Sequence, residues 1–207
     1  MLLNDFTTQD GTRILVGRLP DKWEDILVLF PQPQLFADEL ISRKTEQRKK
    51  ELLGSRYLLY KALGKQSKVS YTPEGKPYLN MQDAHISISH SKDYVCVAIH
   101  PEHEVGIDIE CIGTKMKRVK ERFLHPTELH DLQSDTDCLK AHLYWSGKEA
   151  IYKIAGKDAV DFRASIHIKP FEISDQYATA HATANNEAYT IECWVNADCV
   201  MTKANKK

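Results

Sequence analysis

Residues 105 to 110 read VGIDIE, a run of β-branched residues that places two carboxylates one residue apart. Side chains alternate across a strand with period two, so Val105, Ile107 and Ile109 share one face. Gly106, Asp108 and Glu110 take the other, with the carboxylates about 7 Å apart along the chain. Two like charges so placed repel. A divalent cation, basic side chains or water can relieve that, and a solvated strand face is the commonest outcome.

A third carboxylate bears on the choice. In LYWSGKEAIYKIAGK (143–157), Trp145, Glu149 and Lys153 fall at i, i+4 and i+8 and form one stripe of a helix. Glu four residues before Lys is also the pattern of an ordinary surface ion pair, worth about 0.3–0.5 kcal/mol. Trp145 on the stripe favours partial burial. Gly147 in mid-helix costs about 1 kcal/mol relative to Ala, which indicates that something approaches the backbone there.

Around these motifs the chain alternates helical and strand-like segments twice. Residues 10 to 30 read as short strands turning at LPDKW, and residues 37 to 63 as a helix with a basic side. HISISH, YVCVAIH and VGIDIE, joined by SKD and PEHE, read as a three-stranded antiparallel meander. Residues 116 to 132 and 138 to 155 are helical, with Pro126 near a helix start. Residues 163 to 201 return to strands in SIHIKPFEI and YTIECWV. YKALGK (60–65) echoes YKIAGK (152–157), each closing a helix with Gly64 or Gly156 as cap.

The bulk properties exclude more than they assign. A chain of 207 residues, 42% hydrophobic, folds as one or two domains. Lys plus Arg (28) nearly balances Asp plus Glu (29), so no global field recruits nucleic acid or a membrane. The apolar runs are far shorter than a membrane span, and the opening MLLNDFTTQD lacks the basic segment and apolar core of a secretion signal. A soluble, cytoplasmic protein is expected. Five cysteines, none in a C-x-x-C pair, read as reduced thiols. His125 and His130 in HPTELH are five apart and do not stack on one helix face, so they read as helix-entry and surface residues.

Three ordered blocks resemble the 4′-phosphopantetheinyl transferases, specifically the two-halved monomers of the surfactin-synthetase-activating type. EGKPYL (74–79) is similar to the family's Gly-(Lys/Arg)-Pro block, and ISISHSKDYVCVAI (86–99) to its Ser-His-Ser strand and hairpin. VGIDIE with WSGKEAIYKIAG is similar to its Gly-x-Asp-x-Glu and Trp-x-x-Lys-Glu-x-x-x-Lys blocks. The likeness runs from about residue 45 to 157. Ser87 stands where the family often has Asn.

This resemblance implies an α+β fold of two similar halves, 1–104 and 105–207, each a small antiparallel sheet packed on helices and related by a pseudo-two-fold. It implies transfer of the phosphopantetheine arm of coenzyme A to a serine of an apo acyl or peptidyl carrier protein by a monomer, with release of 3′,5′-ADP. By motif match Asp108, Glu110 and Glu149 would hold Mg²⁺, or Mn²⁺ in its place. Glu149 would be the base and Lys153 would stabilise the leaving phosphate. Arg48, Arg56, Lys76, Ser89 and His90 would hold phosphates of coenzyme A, Arg56 ahead of Arg48 for the 3′-phosphate. Pseudo-symmetry would make Lys61 the counterpart of Lys153. Carrier recognition would fall on 118–132. A non-catalytic nucleotide- or carrier-binding module and a Mg²⁺-dependent coenzyme A hydrolase stand as alternatives.

Overall fold

The computed structural model describes residues 1–80, 84–132, 138–156 and 161–207. Lys157, the last residue of the YKIAGK echo, lies outside the described residues. The chain is α+β, with two larger antiparallel sheets and a two-stranded ribbon. The first sheet takes β1 (Leu2–Thr7), β2 (Arg13–Arg18), β5 (His85–Ser91) and β6 (Tyr94–His100) in the order β1-β2-β6-β5. The second takes β7 (Val105–Cys111), β8 (Ile166–Ile168), β9 (Tyr177–Ala184), β10 (Glu187–Val195) and β11 (Cys199–Lys206) in the order β7-β11-β10-β9-β8. The ribbon is β3 (Val69–Tyr71) with β4 (Pro77–Leu79).

The expected meander is thus half right. HISISHS and YVCVAIH form a hairpin, but VGIDIE leaves it and pairs with β11, Asp108 opposite Thr202 and Ile107 opposite Lys203. A short connection permits a hairpin without compelling one. Here the apolar face of β7 is better covered by packing on the first sheet than by extending it. Ile107 and Ile109 meet Ile14, Val16, Cys96 and Ala98 in one buried cluster. β7 is therefore covered on both faces, and Asp108 is only 4% exposed. The solvated strand face is excluded.

Two long helices close the layers. α3 (Glu46–Leu63) covers the other side of the first sheet; Thr45 caps its start by accepting from the Arg48 N–H at 3.2 Å, and Gly64 ends it in the left-handed region at φ +69°. α6 (Leu139–Ala155) covers β7 and β11 and ends at Gly156, which also has positive φ, as the sequence suggests. Residues 37–63 form α2 (Ala37–Ile41) and α3 rather than one helix, and Glu24–Leu27 is a helical turn (α1) where a strand is expected. Residues 116–132 hold two short helices, α4 (Met116–Val119) and α5 (Pro126–Asp131); α7 (Phe162–Ser165) precedes β8. Lys61 sits on the exposed side of α3. No helix among the described residues is long and apolar enough to cross a membrane.

Candidate active site

Gly106 determines how the site is assembled. A Cβ at this position would lie 1.9 Å from the carbonyl oxygen of Ala150, so only glycine lets α6 lie directly on β7. That contact brings the VGIDIE carboxylates under the Trp145–Glu149–Lys153 stripe. Lys153 donates to Asp108 Oδ1 at 3.0 Å and to the Ile107 carbonyl at 2.6 Å. Its partner is therefore across the interface, and the ordinary surface pair with Glu149 is not what forms. Trp145 Nε1 donates to Glu110 Oε1 at 3.1 Å. Gly147 is explained by packing, since a Cβ there would stand 3.0 Å from Ile168 Cδ1 and 3.3 Å from Ile191 Cδ1.

From the other side the carboxylates are held by serines. Ser87, Ser89 and Ser91 alternate along β5 and lean on β7. Ser87 Oγ accepts from the Ile107 N–H at 3.0 Å. Ser89 Oγ donates to Asp108 Oδ1 at 2.7 Å, and Ser91 Oγ to Glu110 Oε2 at 3.0 Å. The period-two serines of HISISHS carry this signal in the sequence; Ser89, expected as a phosphate ligand, is bonded to Asp108.

Charge is concentrated and poorly relieved here. Burial first, then Asp108, with Glu110 adding and Lys153 opposing, pushes Glu149 up to about 7. Burial and Asp108 likewise push Glu110 upward, against the hydrogen bonds from Trp145 and Ser91. Asp108 Oδ2 is buried with no hydrogen-bond partner. An orphaned anionic oxygen beside two repelling carboxylates fits a hard cation, whose ligands are carboxylate oxygens. Among the described residues, no group of three or more His, Cys, Asp or Glu is already arranged to hold a metal ion.

Two cavities adjoin this cluster, and one more borders the first of these. One of about 400 Å³ is lined by Lys76, Ser87, His90, Tyr152 and Lys153. A second of about 400 Å³ shares His90 and adds Arg43, Lys44 and Arg48, of which the sequence reading named only Arg48. Lys76 pairs with Glu104, and Arg48 with Glu51 at 3.0 Å. His90 Nδ1 stands 3.5 Å from Glu51, and burial lowers its pKa despite that neighbour. Arg56 lines neither cavity. Its side chain is 1% exposed and paired to Glu39 at 2.8 Å, and it sits 5.9 Å from the ring of Tyr71, which lines both. The third cavity, about 1090 Å³, opens beside Glu110 between Met116, Arg122, Phe123, Trp145 and Phe162.

The fold and site together define an α+β protein with an acidic, lysine-capped centre buried between a sheet and a helix and flanked by cationic cavities. Residues 104–203, just under half of the chain, match the family model described as the 4′-phosphopantetheinyl transferase superfamily. It is 38% identical over 86 residues to the 4′-phosphopantetheinyl transferase gsp of Aneurinibacillus migulanus, covering 40% of this chain and 35% of that one. It is 38% identical over 87 residues to the 4′-phosphopantetheinyl transferase psf-1 of Bacillus pumilus, covering 40% and 37%. The matched stretch thus spans little more than a third of each relative.

Proposed function

We propose that this chain moves the phosphopantetheine arm of coenzyme A to a serine hydroxyl of an apo acyl or peptidyl carrier protein, releasing 3′,5′-ADP. The observation that carries the reading is the buried, unpartnered Asp108 Oδ2 beside a Glu149 raised to about 7, with Lys153 bonded to the same aspartate. Mg²⁺, or Mn²⁺ in its place, held by Asp108, Glu110 and Glu149, would neutralise and polarise the diphosphate.

The chain's own groups account for the rest. Glu149, at the edge of the acidic centre, accepts the serine proton directly or through a water. The serine oxygen then bonds to the pantetheine-side phosphorus as the bond to the bridging oxygen breaks. Lys153 neutralises the charge that the departing 3′,5′-ADP takes with it. Lys76, His90, Arg43, Lys44 and Arg48 suit the anionic end of coenzyme A, and Arg56 supports Tyr71 from beneath. Ser89 acts by holding Asp108. The groove beside Glu110, bordered by the 118–132 segment, is where the carrier's serine would enter. We place the working chain in the cytoplasm as a monomer, its halves dividing at 104/105.

The test incubates purified protein with coenzyme A, Mg²⁺ and a panel of apo carriers from fatty-acid, polyketide and nonribosomal-peptide systems, read by intact mass. Gain of the arm is expected, and Glu149→Gln should lower transfer by about 10²–10⁴-fold with the fold retained. Binding of coenzyme A without transfer to any carrier would favour a binding module, and its breakdown without a carrier would favour a hydrolase. Either would overturn the reading.

A further inference from the structure

Lys148 is the residue before Glu149, yet it points away from the acidic centre and is 0% exposed. Its ammonium pairs with Glu128 Oε2 at 2.7 Å and donates to the carbonyls of Phe123 (3.0 Å), Phe162 (2.8 Å) and Ile166 (2.7 Å). Glu128 in turn accepts from the His125 N–H at 2.7 Å, closing the capping box of α5, and from the Ile168 N–H at 2.9 Å. The pair therefore holds backbone groups of two separate segments, 123–125 and 162–168, against α6. Burial pulls the ammonium's pKa down while Glu128 resists.

Such a pair is weak evidence for stability, because an apolar pair of similar volume is often no worse. What an apolar pair cannot do is fix carbonyls and N–H groups by direction. The backbone groups held are those next to the groove. The Phe123 ring lies 4.9 Å from Trp145 and the Phe162 ring 5.4 Å from it, all three line the groove, and Trp145 bonds to Glu110. Lys148 and Glu128 themselves line none of it.

We propose that the buried Lys148–Glu128 pair is the positioning device of the acceptor groove, setting the Phe123 and Phe162 rings on either side of Trp145 so that a carrier's serine meets Glu149. The inference rests on the transferase reading. Lys148 and Glu128 are positioning residues, acting through the rings and through Trp145.

The test compares wild type with the double variant Lys148→Met/Glu128→Leu, which removes both charges together. Transfer is measured with carrier varied at saturating coenzyme A and the reverse, alongside Tm and amide exchange. The double variant should lose stability, because five backbone groups lose their partners, yet keep its KM for coenzyme A within about twofold, while KM for the carrier rises about tenfold or more. Amide exchange should quicken in 120–125 and 162–168 and stay unchanged in β9–β11. If the double variant does not fold, Lys148→Gln/Glu128→Gln, which removes both charges together and keeps polar groups for the backbone, should show the same split. A wild-type KM for the carrier, or equal loss toward both substrates, overturns the proposal. A wild-type chain that transfers to no carrier sinks the transferase reading and this proposal with it.

Discussion

Two lysines five residues apart on α6 each reach a carboxylate, and they end in opposite states. Lys148 and Glu128 are both sealed, and every strong acceptor around them is matched to an N–H. Lys153 is 25% exposed, and its partner Asp108 keeps one oxygen buried and unmatched beside two further carboxylates. A fully matched network holds a shape. An unmatched one stores an affinity for something the chain does not contain, and pairs of titratable groups in that condition cluster at functional sites. On the proposed reading the difference separates residues that support the fold from residues that do chemistry, although both sets lie in one helix.

The largest effect expected comes from Gly106→Ala. A methyl group at 1.9 Å from the Ala150 carbonyl must push α6 off β7, at a cost of about 4 kcal/mol or more, beyond ordinary overpacking. The Lys153–Asp108 side should be hit first. A denaturant midpoint within error of wild type would mean that the close approach is not required.

Asp108→Asn should reverse the balance between the two pairs. Transfer should fall about 10²–10⁴-fold, while removing one of three crowded charges leaves Tm nearly unchanged. The stabilisation expected from Mg²⁺ in wild type on the proposed reading, about 1.4 kcal/mol at tenfold over its Kd, should vanish in a thermal-shift titration of the variant and be abolished in wild type by a chelator. Retained transfer, or an undiminished Mg²⁺ shift, would remove Asp108 from the cation site.

The smallest effect concerns another buried lysine. Lys203 on β11 meets Asp10 at 2.6 Å and Glu192 at 2.5 Å, tying the β1–β2 turn to the second sheet. Burial opposes ionisation of Asp10, but hydrogen bonds from Lys203, Thr8 and the Thr12 N–H hold its pKa well below the carboxylate range. A depressed folded-state pKa contributes stability that is present above about pH 4 and lost as pH falls through the folded value. With Asp10 partly exposed, the contribution is about 1–2 kcal/mol. Asp10→Asn should lower urea stability by that amount at pH 7 and by much less near pH 2. An equal loss at both would refute the linkage.

Much of the site is legible as local periodicity. Alternation in VGIDIE and the four-residue spacing of Trp145, Glu149 and Lys153 each fix which side chains share a face, and the glycine caps of α3 and α6 follow from left-handed φ. The partners of those faces are not legible. CVMTKANK carries Thr202, Lys203 and Asn205 and does not read as a buried strand, yet it is the strand that pairs with β7. YATAHATA alternates plainly and becomes β9, but its small side chains give a weak apolar signal. Lys148 looks like any helical lysine, because nothing local shows that Glu128 and three carbonyls await it. Arg56 is expected as a phosphate ligand, and nothing local shows that its side chain is buried against Glu39 with Nε and Nη1 unpartnered.

By itself the sequence determined which residues could act together along one strand and one helix, because backbone geometry sets periods of two and 3.6 without reference to the rest of the chain. Only the tertiary structure decided that Asp108 would be buried with an unmatched oxygen, that burial and Asp108 would push the pKa of Glu149 upward and that Lys153 would cross to β7. Burial and charge proximity are properties of surfaces brought together, and no single segment carries them.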